Sequence, residues 1–227
     1  GIRHTYVEAV EVFGRDVARE IWGLTAENVG RMRGLAERFD IAHEEVGASY
    51  FATDEAEAGR LRQSAIMLQE DRFDVDFVDG DLLDRGFLAT QLQPGDFGTQ
   101  PAQLAYHLAH GSGAALYEND EVSDIRREGP GLVVRTRRRD IRCEQVMIAV
   151  NGYAGLLDPF FLPLVEPARG QILVTEPLPR IVDTLGLVHQ GCYFRQLSDG
   201  RFLIGGGRHQ FIDEERTYND AVTHHVQ

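Results

Sequence analysis

Apolar and polar positions alternate along the chain with two different periods, helical in much of the first half and two-residue in most of the second. Residues 8–22 pattern as a helix, and Thr25 reads as the N-cap of a second one, whose apolar positions Val29, Met32, Leu35, Ala36 and Phe39 recur at helical spacing. Trp22, at their junction, is expected as a core anchor. Residues 46–53, VGASYFAT, read as a strand. Asp54 with Glu57 then forms a capping-box-like start for a helix carrying Ala58, Leu61, Ala65 and Leu68. Strands are expected at 75–78 and 87–92, the latter closed by Pro94-Gly95-Asp96, and Pro101 opens a helix that ends near Gly111 or Gly113.

From there the texture is that of strands, at 115–117, 121–126, 132–136 and 141–150. The last of these ends in EQVMIAV, a continuous apolar run of the kind buried on both faces of a parallel sheet, and it leads into Asn151-Gly152. The carboxyl end of such a strand is where α/β sheets bind ligands. Residues 158–168 form a proline-rich connector and 171–175 a strand, and the chain closes with a polar segment expected to be helical from Asp213. The densest strand pattern is CYFRQLSDGRFLIGGG, residues 192–207. Ser198-Asp199-Gly200 supplies its turn, so it reads as a hairpin with Tyr193, Arg195 and Leu197 on one face.

Length adds little to this picture, since 227 residues hold one broad domain or a domain with part of another. Charge adds more. A net charge of −13 opposes a phosphate backbone, and the basic cluster Arg135, Arg137, Arg138, Arg139 and Arg142 lies on an apparent turn with no interleaved aromatics to stack bases. A nucleic-acid role is therefore not expected. No apolar run approaches the roughly 20 residues of a membrane span, and no leader opens the chain, so a cytoplasmic protein is expected. Cys143 and Cys192 read as thiols. The chain opens on Gly1 and stops at Gln227 just inside a new polar segment, which reads as a fragment.

Candidate chemistry is sparse. His107 and His110 share a helix face but lack a third ligand, so no metal is expected. Gly205-Gly206-Gly207 lacks the Gly-Lys-Ser/Thr ending of a phosphate loop and reads as backbone in close approach. No Gly-x-Ser-x-Gly or His-Glu-x-x-His is present. Arg169 and Arg195 remain, each read either as a fork for a carboxylate in a cleft or as an ordinary surface cation.

Five segments in order, FGRDVAREIWGLTAENVGRMRGLAERFDI, PAQLAYHLA before ALYENDEV, IAVNGYAG, VEPARGQILVTEPLP and YFRQLSDGRFLIGGGR, resemble the FAD-dependent D-amino-acid oxidase and glycine oxidase superfamily, near its gamma-glutamylputrescine oxidoreductases. The resemblance spans nearly the whole chain. It implies a mixed α/β fold: parts of a Rossmann-like FAD domain at 1–45 and 98–157, interleaved with a substrate domain at 46–97 and 158–212 on a mixed, largely antiparallel sheet. Residues 213–227 would begin a further, truncated segment. It implies FAD contacts at Val122, Ala149, Asn151 and Gly152, and substrate positioning by Arg195, Tyr193 and Arg169. The implied reaction oxidises the C–N bond of an amine or amino acid, with hydride passing to the flavin, the imine hydrolysing in water, and oxygen or another acceptor taking the electrons. Two features depart from the family. The Gly-x-Gly-x-x-Gly fingerprint is absent, and Gln196-Leu197 stands where amino-acid oxidases often carry Pro-Arg. The first departure keeps an alternative in view, a non-catalytic binding module on the same scaffold.

Overall fold

Gly14, with φ of +82°, divides the first two helices of the computed structural model, which describes residues 4–188 and 191–224. Helix α1 (Tyr6–Phe13) begins with a capping box between Thr5 and Glu8, and α2 (Arg15–Arg38) runs on without interruption. The break expected at Thr25 is therefore misplaced by eleven residues. Thr25 continues α2 because its hydroxyl donates to the Ile21 carbonyl at 2.9 Å, inside the helix. After β1 (His43–Glu44) and β2 (Ala48–Ala52), helix α3 (Glu55–Glu70) is capped by Asp54, which accepts from the Glu57 amide at 2.8 Å. The Glu57 carboxylate reaches past the cap to the amide and hydroxyl of Thr53, both at 2.7 Å.

The chain continues through β3 (Asp76–Val78), β4 (Ala89–Gln93), β5 (Gly98–Thr99) and α4 (Pro101–Gly111). Then come β6 (Val122–Glu128), β7 (Gly131–Thr136), β8 (Asp140–Cys143) and α5 (Ala154–Leu157). The last elements are β9 (Ile172–Pro177), β10 (Leu185–Val188), β11 (Cys192–Gln196), β12 (Arg201–Gly205) and α6 (Ile212–Glu215). Seven strands form one mixed sheet in the order β3-β4-β2-β10-β11-β12-β9, in which β2 and β10 are parallel and the other pairs antiparallel. A separate antiparallel sheet joins β6, β7 and β8. The fold is mixed α/β.

Strand β10 falls in no predicted element, yet it joins the two halves of the large sheet. Its small residue Gly186 faces Phe194 across β11, and a Cβ there would lie 2.2 Å from the Phe194 ring. Phe194 is thereby free to stack between Phe51 and Phe202, each 5.8 Å away by ring centroids. The core beneath the helices joins Tyr6, Ala9, Ala18, Ala65, Leu68 and Val75, so α1 and α2 pack on α3, with Trp22 edge-on to Tyr6 at 4.9 Å. Ala52, Ala58, Leu61 and Ala89 seat α3 on β2 and β4, their small side chains allowing close approach.

Two strand expectations fail. Residues 115–117 form no strand, and the strand expected over 141–150 stops at Cys143. Residues 144–150 form no strand and, apart from Val146, are exposed, Met147 at 91%. A strand buried on both faces needs neighbours to pair with and layers above and below, and among the described residues no strand pairs with this run. The helix expected from Asp213 amounts to the four residues of α6.

Candidate functional site

Residues paired across a sheet project to the same face, so the register sets Tyr50, Leu187, Tyr193 and Gly205 in one row across β2, β10, β11 and β12. Gly205 is required there, because a Cβ would lie 2.5 Å from the Tyr193 ring. Its neighbour Gly206 is equally confined, its would-be Cβ 2.3 Å from the Gly191 carbonyl oxygen, which is the close backbone approach expected of these glycines. Tyr193 is 38% exposed and lines, with Tyr50, Leu187 and Arg60, a cavity of about 600 Å³. Arg195 lies one pleat further along the same face. Its Nη1 donates to the Thr99 carbonyl at 3.3 Å and packs over Gly98, and no other protein acceptor among the described residues meets its guanidinium. The hairpin therefore brings Tyr193 and Arg195 together, with Arg195 donors that meet no protein acceptor among the described residues.

Gln196 points to the opposite face and is buried. Its amide donates to the carbonyls of Leu178, Pro179 and Gly200 and its oxygen accepts from the Ile181 amide at 2.7 Å, so it clamps the connector before β10.

Arg169 is placed elsewhere. Its Nε and Nη2 fork onto Glu215 at 2.8 and 3.0 Å, and its Nη1 donates to the carbonyls of Asn219 and Ala221. Gln171 and Thr223 complete the network. With the two side chains 10% and 2% exposed, the pair is buried, and the Arg169 guanidinium holds the Glu215 carboxyl down at about 2. Arg169 ties the segment around α6 to the start of β9.

The four residues expected to contact a cofactor lie on the small sheet and in the chain that follows it. Val122 opens β6, 39% exposed. Ala149 lies in the exposed irregular run, whose residues 144–149 make no backbone hydrogen bond among the described residues. Asn151 takes φ of +50°, a left-handed turn that asparagine tolerates, and opens a 3₁₀ turn to Tyr153. Gly152 sits against Pro167, where a Cβ would lie 3.5 Å from Cα, and α5 lies against β6. An apolar edge with unpaired amides, running into a left-handed turn, fits one wall of an FAD site. A glycine-rich cradle for its diphosphate is not among the described residues.

Other chemistry-bearing residues have local explanations. His107 stacks on Phe39 at 5.3 Å, and His110 packs at a tilt against Tyr106 at 4.2 Å. Arg135 and Arg139 pair with Asp140 and Asp120 at the β7–β8 turn, and Arg139 lies 4.4 Å over Tyr117. Cys143 and Cys192 are free thiols. Among the described residues no helix is long and apolar enough to cross a membrane. Sequence reasoning missed Tyr50 and Arg60. The alternation Ala48-Tyr50-Ala52 marks Tyr50 as the large residue of its strand face, but nothing local marks Arg60.

Residues 2–226 match the family described as FAD dependent oxidoreductase, and the chain belongs to that family, whose cofactor is FAD. It is 29% identical over 242 residues to the probable oxidoreductase OrdL of Rhizobium meliloti, covering 96% of this chain and 55% of that protein. It is 36% identical over 118 residues to the glycine oxidase of Geobacillus kaustophilus, covering 49% of this chain and 31% of that protein. The chain thus spans about half, or less, of the length of these curated relatives. Among solved structures, glycine oxidase from Bacillus cereus superposes with a TM-score of 0.72 at 23% identity, over 93% of this chain and 60% of that one. L-proline dehydrogenase from P. horikoshii gives 0.71 at 19%, over 88% and 58%. At these identities the structures show a shared fold.

Proposed function

We propose that the protein oxidises the C–N bond of a small amine or amino acid, using FAD. Membership of an FAD dependent family supports the cofactor, and relatives named for glycine and L-proline support the substrate class. The observation that carries the substrate side is Arg195, whose guanidinium has donors to spare beside Tyr193 on the face of the central hairpin.

When bound, FAD supplies the acceptor for the hydride leaving the carbon that bears nitrogen. Ala149, Asn151 and Gly152, with Val122, would hold it along the open edge. The chain's own residues position the substrate: Arg195 forks onto a carboxylate, while Tyr193 and Tyr50 wall the cavity and keep water out. Orientation of this kind lowers the barrier without a protein acid or base. The imine product hydrolyses in water, and oxygen or another acceptor takes the electrons. We assign residues 1–45 and 98–157 to the cofactor part and 46–97 and 158–212 to the substrate part, the shared core of α1, α2 and α3 stiffening the junction.

Anaerobic addition of amines and amino acids to the purified protein tests the proposal. Yellow protein that bleaches with an amine or amino acid supports it. Colourless protein that retains no flavin overturns it and favours a binding module on this scaffold.

A further inference from the structure

Beneath α2 a cavity of about 430 Å³ opens between the helix and the sheet face that carries Tyr50. This is within the range of small-molecule sites. Its walls are aromatic, with Trp22 from α2, Tyr50 from β2 and Phe73 from the turn after α3. Asp96, in the turn between β4 and β5, lines it together with Asp74 and Tyr50, and among the described residues neither the Asp96 carboxylate nor the Tyr50 hydroxyl has a hydrogen-bond partner.

A half-buried acid with no ion-pair partner among the described residues, set among aromatic side chains, is the chemistry that recognises an organic cation. Burial raises both the Asp96 carboxyl and the Tyr50 hydroxyl above their ordinary ranges, the Asp96 charge adding to the effect on Tyr50. Arg33 also borders the cavity but is already engaged. It donates to Glu45 at 2.8 Å and to the Gly95 carbonyl at 2.7 Å, and lies 5.0 Å over Phe97, so its ion-pair partner is Glu45 and it acts on Asp96 only through space, partly offsetting the effect of burial. Among the described residues no group of three or more His, Cys, Asp or Glu side chains comes together to hold a metal ion.

We propose that this cavity binds an organic ammonium ion, its cationic head against Trp22 and Tyr50 and directed at Asp96. The site goes beyond the oxidoreductase reading and stands whether or not flavin is bound.

Trp22 is the single tryptophan of the chain, so its emission reports binding directly. The 227-residue chain is titrated with choline and with its uncharged isostere, in which a tert-butyl group replaces the trimethylammonium head. The expected result is a saturable change with choline, weakened at least about tenfold for the isostere and at least about tenfold in Asp96→Asn. No saturable response to choline, an equal response to the isostere, or an unchanged affinity in a folded Asp96→Asn protein would each overturn the site. If Asp96→Asn does not fold, as judged by circular dichroism, the comparison of choline with its isostere on the unaltered chain decides.

Discussion

Arg169 and Glu215 lie 46 residues apart and meet in a two-point contact, Nε to Oε2 at 2.8 Å and Nη2 to Oε1 at 3.0 Å, with both side chains withdrawn from water. Removing one partner leaves an uncompensated charge in the interior. Glu215→Ala is expected to cost about 3–5 kcal/mol, read as a lowered urea midpoint, with residues 216–224 losing protection from proteolysis first. Replacing both residues by leucine should restore much of the loss, since the remaining charge is then absent.

The same pair sets a pH dependence. Glu215 is held down from an ordinary 4.5 to about 2 by Arg169, so the folded state favours its charged form. The stabilisation is complete above the ordinary value and disappears as the pH falls toward about 2. Urea midpoints measured through this acid range should drop in the unaltered protein. In Glu215→Gln that contribution should be missing, and parallel curves would remove Glu215 as its source.

Gly186 is the one residue type that fits opposite Phe194. Gly186→Ala pushes the ring out of its stack with Phe51 and Phe202, at a cost of about 1–3 kcal/mol. Pairing it with Phe194→Leu should recover part of that loss, and additive effects in the double mutant would refute the contact as the cause.

Arg195→Leu removes the free guanidinium from the hairpin face. For a carboxylate-bearing substrate the KM is expected to rise about tenfold or more, in line with a charge-assisted hydrogen bond, while an amine without a carboxylate keeps its KM. Equal KM values for the two proteins on the carboxylate substrate would take Arg195 out of the site.

Asn151→Val places a β-branched residue at φ of +50°, where the backbone penalty is about 1–2 kcal/mol. The flavin-to-protein ratio after gentle purification should fall in Asn151→Val and hold in Asn151→Gly, which keeps the turn. Full flavin content in the valine variant would break the assignment of this turn to the cofactor.

How far the sequence alone reaches differs from residue to residue. The hairpin of β11 and β12 is legible because its information is local: alternation over five residues on each side of a turn that Gly200 completes at φ of +89°. The start of α3 at Asp54 and the helix at Pro101 are legible for the same reason. Strand β10 is not, since its four residues carry too little pattern, and its register comes from β2, more than 130 residues earlier. The run EQVMIAV reads identically whether or not neighbours cover it, so its exposure is invisible to periodicity.

Local propensity and alternation, which act within a few residues, determined the starts of α3 and α4, the hairpin and the placing of Tyr193 with Arg195 on one face. Only the tertiary structure decided between the two arginines. Arg169 finds Glu215, and Arg195 finds little more than the Thr99 carbonyl, because long-range packing chooses which charges are paired and which are not.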